Sequence, residues 1–110
     1  MNSKAIKENK GFRRLYHRGK SFAAPVLVTY VMKSRGPVCR IGITSSKKIG
    51  NAVQRNRARR VIRAAFSQLE PSIIGKWDIV FVARTRTTSC AMQDVLVSMR
   101  EQLKKAGVIK

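Results

Sequence analysis

Apolar residues between positions 58 and 69 fall at Ala58, Val61, Ile62, Ala65, Phe66 and Leu69. Steps of three and four keep them on one stripe of an α-helix. Gly50 allows a tight turn and Asn51 suits the N-cap, so the spacing predicts a helix from there to about Leu69. A shorter helix is predicted from about Asn9 to Gly19, with Leu15 as its core residue and Phe12 and Tyr16 one turn apart. Phe22 to Met32 is a β-rich run, and Val38 to Thr44 alternates well enough to return beside it after a turn at Lys33-Ser34-Arg35-Gly36-Pro37. The two are expected to form a hairpin. Trp77 to Ala83 is apolar almost throughout, the pattern of a strand covered on both faces. Ser89 is the expected N-cap of a last helix to about Lys105, carrying Val95, Leu96, Met99 and Leu103 on one stripe.

These elements read α-β-β-α-β-α: an α+β chain, a two-layer α/β sandwich with about four strands and helices on one side. No repeat or linker interrupts residues 1–110, so they are expected to form a single domain. Residues before about position 8 show no periodicity and are expected to be a flexible basic arm. Gly107 and the residues after it are expected to fray.

Charge changes the picture on the far side of the central helix. Rotated away from its apolar stripe lie Asn56, Arg60 and Arg63, with Arg59 at the margin, Arg57 on the far flank and Arg55 one turn earlier. Lys47 and Lys48 stand just upstream. Solvated helix faces usually mix signs, because like charges one turn apart repel. Here no carboxylate offsets them: the net charge is +19, and no acid lies between Glu8 and Glu70. A face of guanidinium forks suits phosphate oxygens, so a polyanion, nucleic acid first, is the expected partner. The aromatics have two readings. Phe12, Tyr16 and Tyr30 fit a core equally well, or they can stack on unpaired bases beside the arginines. Ser45 and Ser46, at a strand end, can donate hydrogen bonds to phosphate.

The run Lys47-Lys48-Ile49-Gly50-Asn51-Ala52-Val53-Gln54-Arg55-Asn56-Arg57-Ala58-Arg59-Arg60 resembles the signature of the protein subunit of bacterial ribonuclease P, Lys-Lys-x-Gly-x-Ala-Val-x-Arg-Asn-x-x-Lys/Arg-Arg. The likeness extends over nearly the whole chain, with Arg59 where the family often has Lys. It implies a left-handed strand–helix–strand crossover, although such crossovers are right-handed in about 98% of cases. It implies a cleft for the single-stranded 5′ leader of precursor tRNA, bordered by the first helix, with Phe12, Tyr16, Tyr30 and Ser46 as its residues. It implies that Lys47, Lys48, Arg55, Asn56, Arg57, Arg59, Arg60 and Arg63 bind RNA, the Arg-Asn-Arg helix docking on the catalytic RNA subunit. The holoenzyme would then be an endoribonuclease for tRNA 5′ maturation, with its catalytic groups and its Mg2+ held by the RNA.

The residues themselves agree that the chain is not the catalyst. Two-metal phosphodiester cleavage needs clustered carboxylates, and five scattered acids offer none. His17 is alone, and Cys39 and Cys90 lack metal-ligand spacing, so no cofactor or metal is expected on the chain itself. Two isolated cysteines, no apolar run of about 20 residues and no apolar leader point to a cytoplasmic protein without a membrane partner. A structural RNA-binding protein, such as a small ribosomal protein, would share the charge and size; the extended signature and the aromatics beside it favour ribonuclease P.

Overall fold

A computed structural model describes residues 3–110. In chain order the elements are β1 (Lys4–Ala5), α1 (Asn9–Arg18), β2 (Lys20–Ala24), β3 (Leu27–Lys33), β4 (Arg40–Thr44), α2 (Ala52–Leu69), β5 (Trp77–Ala83) and α3 (Met92–Ala106). They build one five-stranded sheet in the order β1-β4-β5-β3-β2. β1 and β4 are parallel, as are β4 and β5, while β3 runs antiparallel to both β5 and β2. The α+β architecture stands, with one more strand than expected.

The continuous apolar run of β5 does occupy the centre. Ile79, Phe81 and Ala83 pack with α2 and α3, whereas Val80 looks to the opposite face. This central position breaks the expected hairpin, since β5 lies between β3 and β4. The Lys33–Pro37 turn becomes a crossing, closed by Ser34 N donating to Lys76 O at 3.0 Å. The real hairpin is β2–β3, where Ala24 pairs with Leu27 around Pro25 and Val26. Proline has no N–H for a ladder and fixes φ for a turn, so it splits the run from Phe22 to Met32 in two.

The apolar stripe of α2 is buried as the spacing requires, with only Val61 partly open. Asn51 caps this helix: its Oδ1 accepts from Gln54 N, and Gln54 Oε1 accepts from Asn51 N, both at 2.9 Å. Gly50 before it has φ +150°, and a side chain there would run into Gln54. The expected cap of α3 moves. Ser89 falls in a turn that follows a 3-10 segment (Thr85–Thr88), and α3 starts three residues later with Asp94 Oδ2 accepting from Ala91 N at 3.3 Å. Gln102 on α3 is buried and fully used. It accepts from Thr29 Oγ1 at 2.6 Å and donates to Phe22 O and Leu27 O at 3.0 Å, tying α3 to the β2–β3 hairpin.

Helices do not cover one side only. α2 and α3 pack on one face, and α1 lies across the other with Leu15 buried against Ile6 and Val80. The two chain ends are also better held than their patterns suggested. Lys4 and Ala5 pair with Arg40 and Ile41 and the next residue, Ile6, is buried, so the expected flexible arm is instead an edge strand at residues 4–5. Positions 1 and 2 lie outside the described residues. The apolar Ile6 supplies the reason, since burying it under α1 offsets the ordering of a short segment. Likewise Gly107 adopts a left-handed φ of +81° that turns the chain back, and Val108 and Ile109 enter the core instead of fraying.

Candidate nucleic-acid interface

α1 crosses the sheet and leaves its open face divided. Phe12 sits directly over Gly42 of β4, so close that a Cβ added to Gly42 would lie 2.5 Å from Phe12 Cε1. The missing side chain is what lets α1 seat on the sheet. Phe12 is therefore mainly an anchor, half-buried against the sheet. Tyr16 is different. It is 41% exposed and meets Tyr30 edge-on, with ring centroids 4.9 Å apart at 75°. Such an edge-to-face pair fixes both rings and leaves faces of Tyr16 open for a third ring. Asn9, Phe12, Arg13, Tyr16 and Thr44 line a hollow of about 510 Å³ there. Arg13 was not singled out from the sequence, although its place one turn before Tyr16 is a readable signal.

β4 carries this cleft toward the basic helix. Thr44 ends the strand, and the exposed Ser46 follows as N-cap of a 3-10 turn (Lys47–Ile49) whose two lysines are exposed. α2 begins next, and its first turn has no acidic residue to complement the positive end of the helix dipole. Asn56, Arg60 and Arg63 are exposed, Arg55 is half-buried without a side-chain partner among the described residues, and Val53 is 75% exposed. Arg59 Nη1 donates to Ile43 O at 2.9 Å, at the edge of β4. Arg59, Arg63 and Phe12 together line a second hollow of about 310 Å³. It joins the α1 side of the sheet edge to the α2 side.

Arg57 departs from the expected RNA-facing set. Its Nη1 donates to Thr87 O at 3.4 Å and Thr88 O at 3.2 Å, and its Nη2 to Cys90 O at 3.2 Å. The end of the 3-10 segment leaves carbonyls without backbone donors, and a guanidinium fork satisfies several at once. This makes Arg57 a clamp between α2 and the β5–α3 connection. Arg57→Ala should lower stability by about 1–2 kcal/mol, as loss of charged hydrogen bonds does. Arg60→Ala should leave the melting curve unchanged and make the salt dependence of RNA binding shallower by about 0.7–0.9 in log–log slope, one phosphate contact. Melting and salt titration of both variants check the contrast.

No three of His, Cys, Asp and Glu come together to hold a metal ion among the described residues. His17 is exposed, Cys39 is buried beside Gly75 O and Trp77 N, and burial pushes the Cys90 thiol up, with Asp94 adding to it. No helix is long and apolar enough to cross a membrane.

With an aromatic hollow beside an arginine-rich helix in view, comparison with known proteins decides the assignment. The family model for Ribonuclease P matches residues 1–107. The chain belongs to the ribonuclease P family. The ribonuclease P protein component of Clostridioides difficile (strain 630) is 36% identical over 107 residues, covering 96% of this chain and 94% of its own. The RNase P protein of Staphylococcus aureus superimposes with a TM-score of 0.84 at 34% identity, covering 96% of this chain and 97% of that one. The RNase P protein from Thermotoga maritima, at 24% identity, shares the fold with a TM-score of 0.80 over 93% of this chain and 96% of that one.

Proposed function

We propose that the chain works as the protein component of ribonuclease P, in the cytoplasm, where the holoenzyme removes the 5′ leader of precursor tRNA. The observation that carries this reading is the exposed Tyr16, braced by Tyr30, beside a carboxylate-free helix in a chain whose family match runs over residues 1–107. Stacking on Tyr16 tolerates any base, which fits leaders of varied sequence, and Arg13, Ser46, Lys47, Lys48 and Arg55 supply donors for the strand's phosphates. The face with Asn56, Arg60 and Arg63, extended by Arg59 at the β4 edge, docks on the catalytic RNA. Guanidinium forks there match phosphate oxygens in pairs.

In this reading the RNA subunit holds the Mg2+ and the cleaving groups. What the chain contributes is charge and position. Its surplus of cations neutralises phosphates that repel one another, which lowers the Mg2+ that the RNA needs to fold and bind substrate. The ribosomal-protein alternative is not favoured, because the relatives carry the ribonuclease P name across nearly their full length.

Reconstitution tests the reading. Mixed with a bacterial ribonuclease P RNA at low Mg2+, the chain should restore cleavage of precursor tRNA at the mature 5′ end, while the chain alone should cut nothing. RNA-free cleavage at that position, or no stimulation of the RNA, would contradict it.

A further inference from the structure

α1 has a second flank. Asn9, Phe12, Arg13 and Tyr16 face the aromatic hollow, whereas Lys10 and Arg14 border a separate cavity of about 550 Å³ on the other side of the helix. Lys7, from the link after β1, and Arg40, from β4, complete its basic wall over a floor of Ile6 and Gly11. Its volume lies in the range of small-ligand sites, roughly 300–1,000 Å³. Glu8 is the one carboxylate lining it, against four cations.

Arg40 shows how the cavity is built. Its Nε donates to Asp78 Oδ1 at 3.1 Å and its Nη2 to Asp78 Oδ2 at 2.8 Å. Asp78 is buried, so it holds the guanidinium in one orientation and has no second edge for Lys10 or Arg14. The Nη1 hydrogens of Arg40 take no partner among the described residues, and Arg40 lines the cavity. Lys10 and Arg14 stand one helical turn apart, a like-charge spacing that repels unless an anion lies between them. No carboxylate on α1 relieves it.

We propose that this cavity is a phosphate-binding site distinct from the aromatic cleft, with Lys10, Arg14 and the free Nη1 edge of Arg40 as its donors. The phosphoryl group is either a phosphodiester of the RNA strand that has passed over α1 from the cleft, or free inorganic phosphate. The strand source rests on the function proposed above; the phosphate chemistry does not. An arginine pre-aligned by a buried carboxylate suits bidentate capture of phosphate oxygens, and the exposed Lys10 adds charge without fixing geometry.

The test uses the full chain and the double variant Lys10→Ala/Arg14→Ala, leaving Arg40 intact because its loss would bare Asp78. Pyrophosphate titrated into the chain alone should give calorimetric binding that the double variant loses and Arg14→Lys retains in part. Reconstituted with ribonuclease P RNA, the double variant should bind precursor tRNA with a long leader roughly tenfold more weakly, as loss of charge-assisted contacts implies. A leader too short to pass α1 should bind as with the wild-type chain, and the melting curve should not move. Loss of pyrophosphate binding with the long-leader affinity unchanged assigns the site to free phosphate. Unchanged behaviour in both arms overturns the proposal. A wild-type holoenzyme that gains nothing from any leader contradicts the proposed function instead, and the pyrophosphate arm then judges the cavity by itself.

Discussion

Replacing Arg40 with alanine should cost the folded chain about 3 kcal/mol, the largest single-residue effect expected here. Asp78 is only 2% exposed and sits on the central strand, so without Arg40 its carboxylate would stay buried with no cation. Breaking a buried pair costs about 3–5 kcal/mol, and the lower end applies because 37% of the Arg40 side chain is exposed to solvent. The hydrogen bonds that Arg40 donates to Asp78 raise the Arg40 pKa against a smaller lowering from burial, so the guanidinium keeps its charge. Urea unfolding of Arg40→Ala should show the drop as a lower midpoint at unchanged slope. The paired variant Arg40→Met/Asp78→Leu should recover most of it, because an apolar pair leaves no charge unmet. A loss under about 1 kcal/mol for Arg40→Ala would mean that the pair behaves as a surface salt bridge.

Tyr16→Ala should act on binding more than on folding. The ring is 41% exposed and packs edge-on against Tyr30, so its removal forfeits one aromatic pair, about 0.5–1.5 kcal/mol of stability. The same change takes away the open stacking platform, worth about 1–3 kcal/mol per base. Precursor tRNA with a leader should therefore bind the holoenzyme about 5- to 150-fold more weakly. Phe12→Ala should show the reverse balance. Its ring fills the space that Gly42 leaves open, so its loss should unseat α1 from the sheet and cost roughly 2–3 kcal/mol of stability. Melting curves and leader affinities on the two variants separate platform from anchor.

The sequence carried the parts of the fold that repeat. The stripe from Ala58 to Leu69, the Asn51 cap and the apolar run of β5 each appear where their spacing placed them, because local period and burial agree at those positions. What it could not carry was strand order. A run such as Val38–Thr44 pairs as well with β5 as with β3, and only the need to bury β5 on both faces selects β5. Pro25 was a legible signal for the β2–β3 turn. Ile6, Val108 and Ile109 were not, because isolated apolar residues at chain ends have no period to read.

At the site, residue type was legible and direction was not. The arginines of α2 read as one basic face, yet Arg57 turns toward carbonyls of the β5–α3 connection and Arg59 toward Ile43 O. A guanidinium six bonds from its Cα is placed by distant backbone acceptors that no sequence window contains. The two aromatics of α1 were equivalent in sequence. A glycine some thirty residues away, Gly42, is what separates them.

The most direct measurement is the ratio of precursor to mature tRNA affinity, taken for the ribonuclease P RNA alone, for the RNA with this chain, and for the RNA with Tyr16→Ala. The wild-type chain should raise that ratio by favouring the substrate that carries a leader. Tyr16→Ala should return it most of the way to the value of the RNA alone, with affinity for mature tRNA unchanged. A ratio that the wild-type chain leaves where the RNA alone sets it would contradict a leader-binding cleft on this protein.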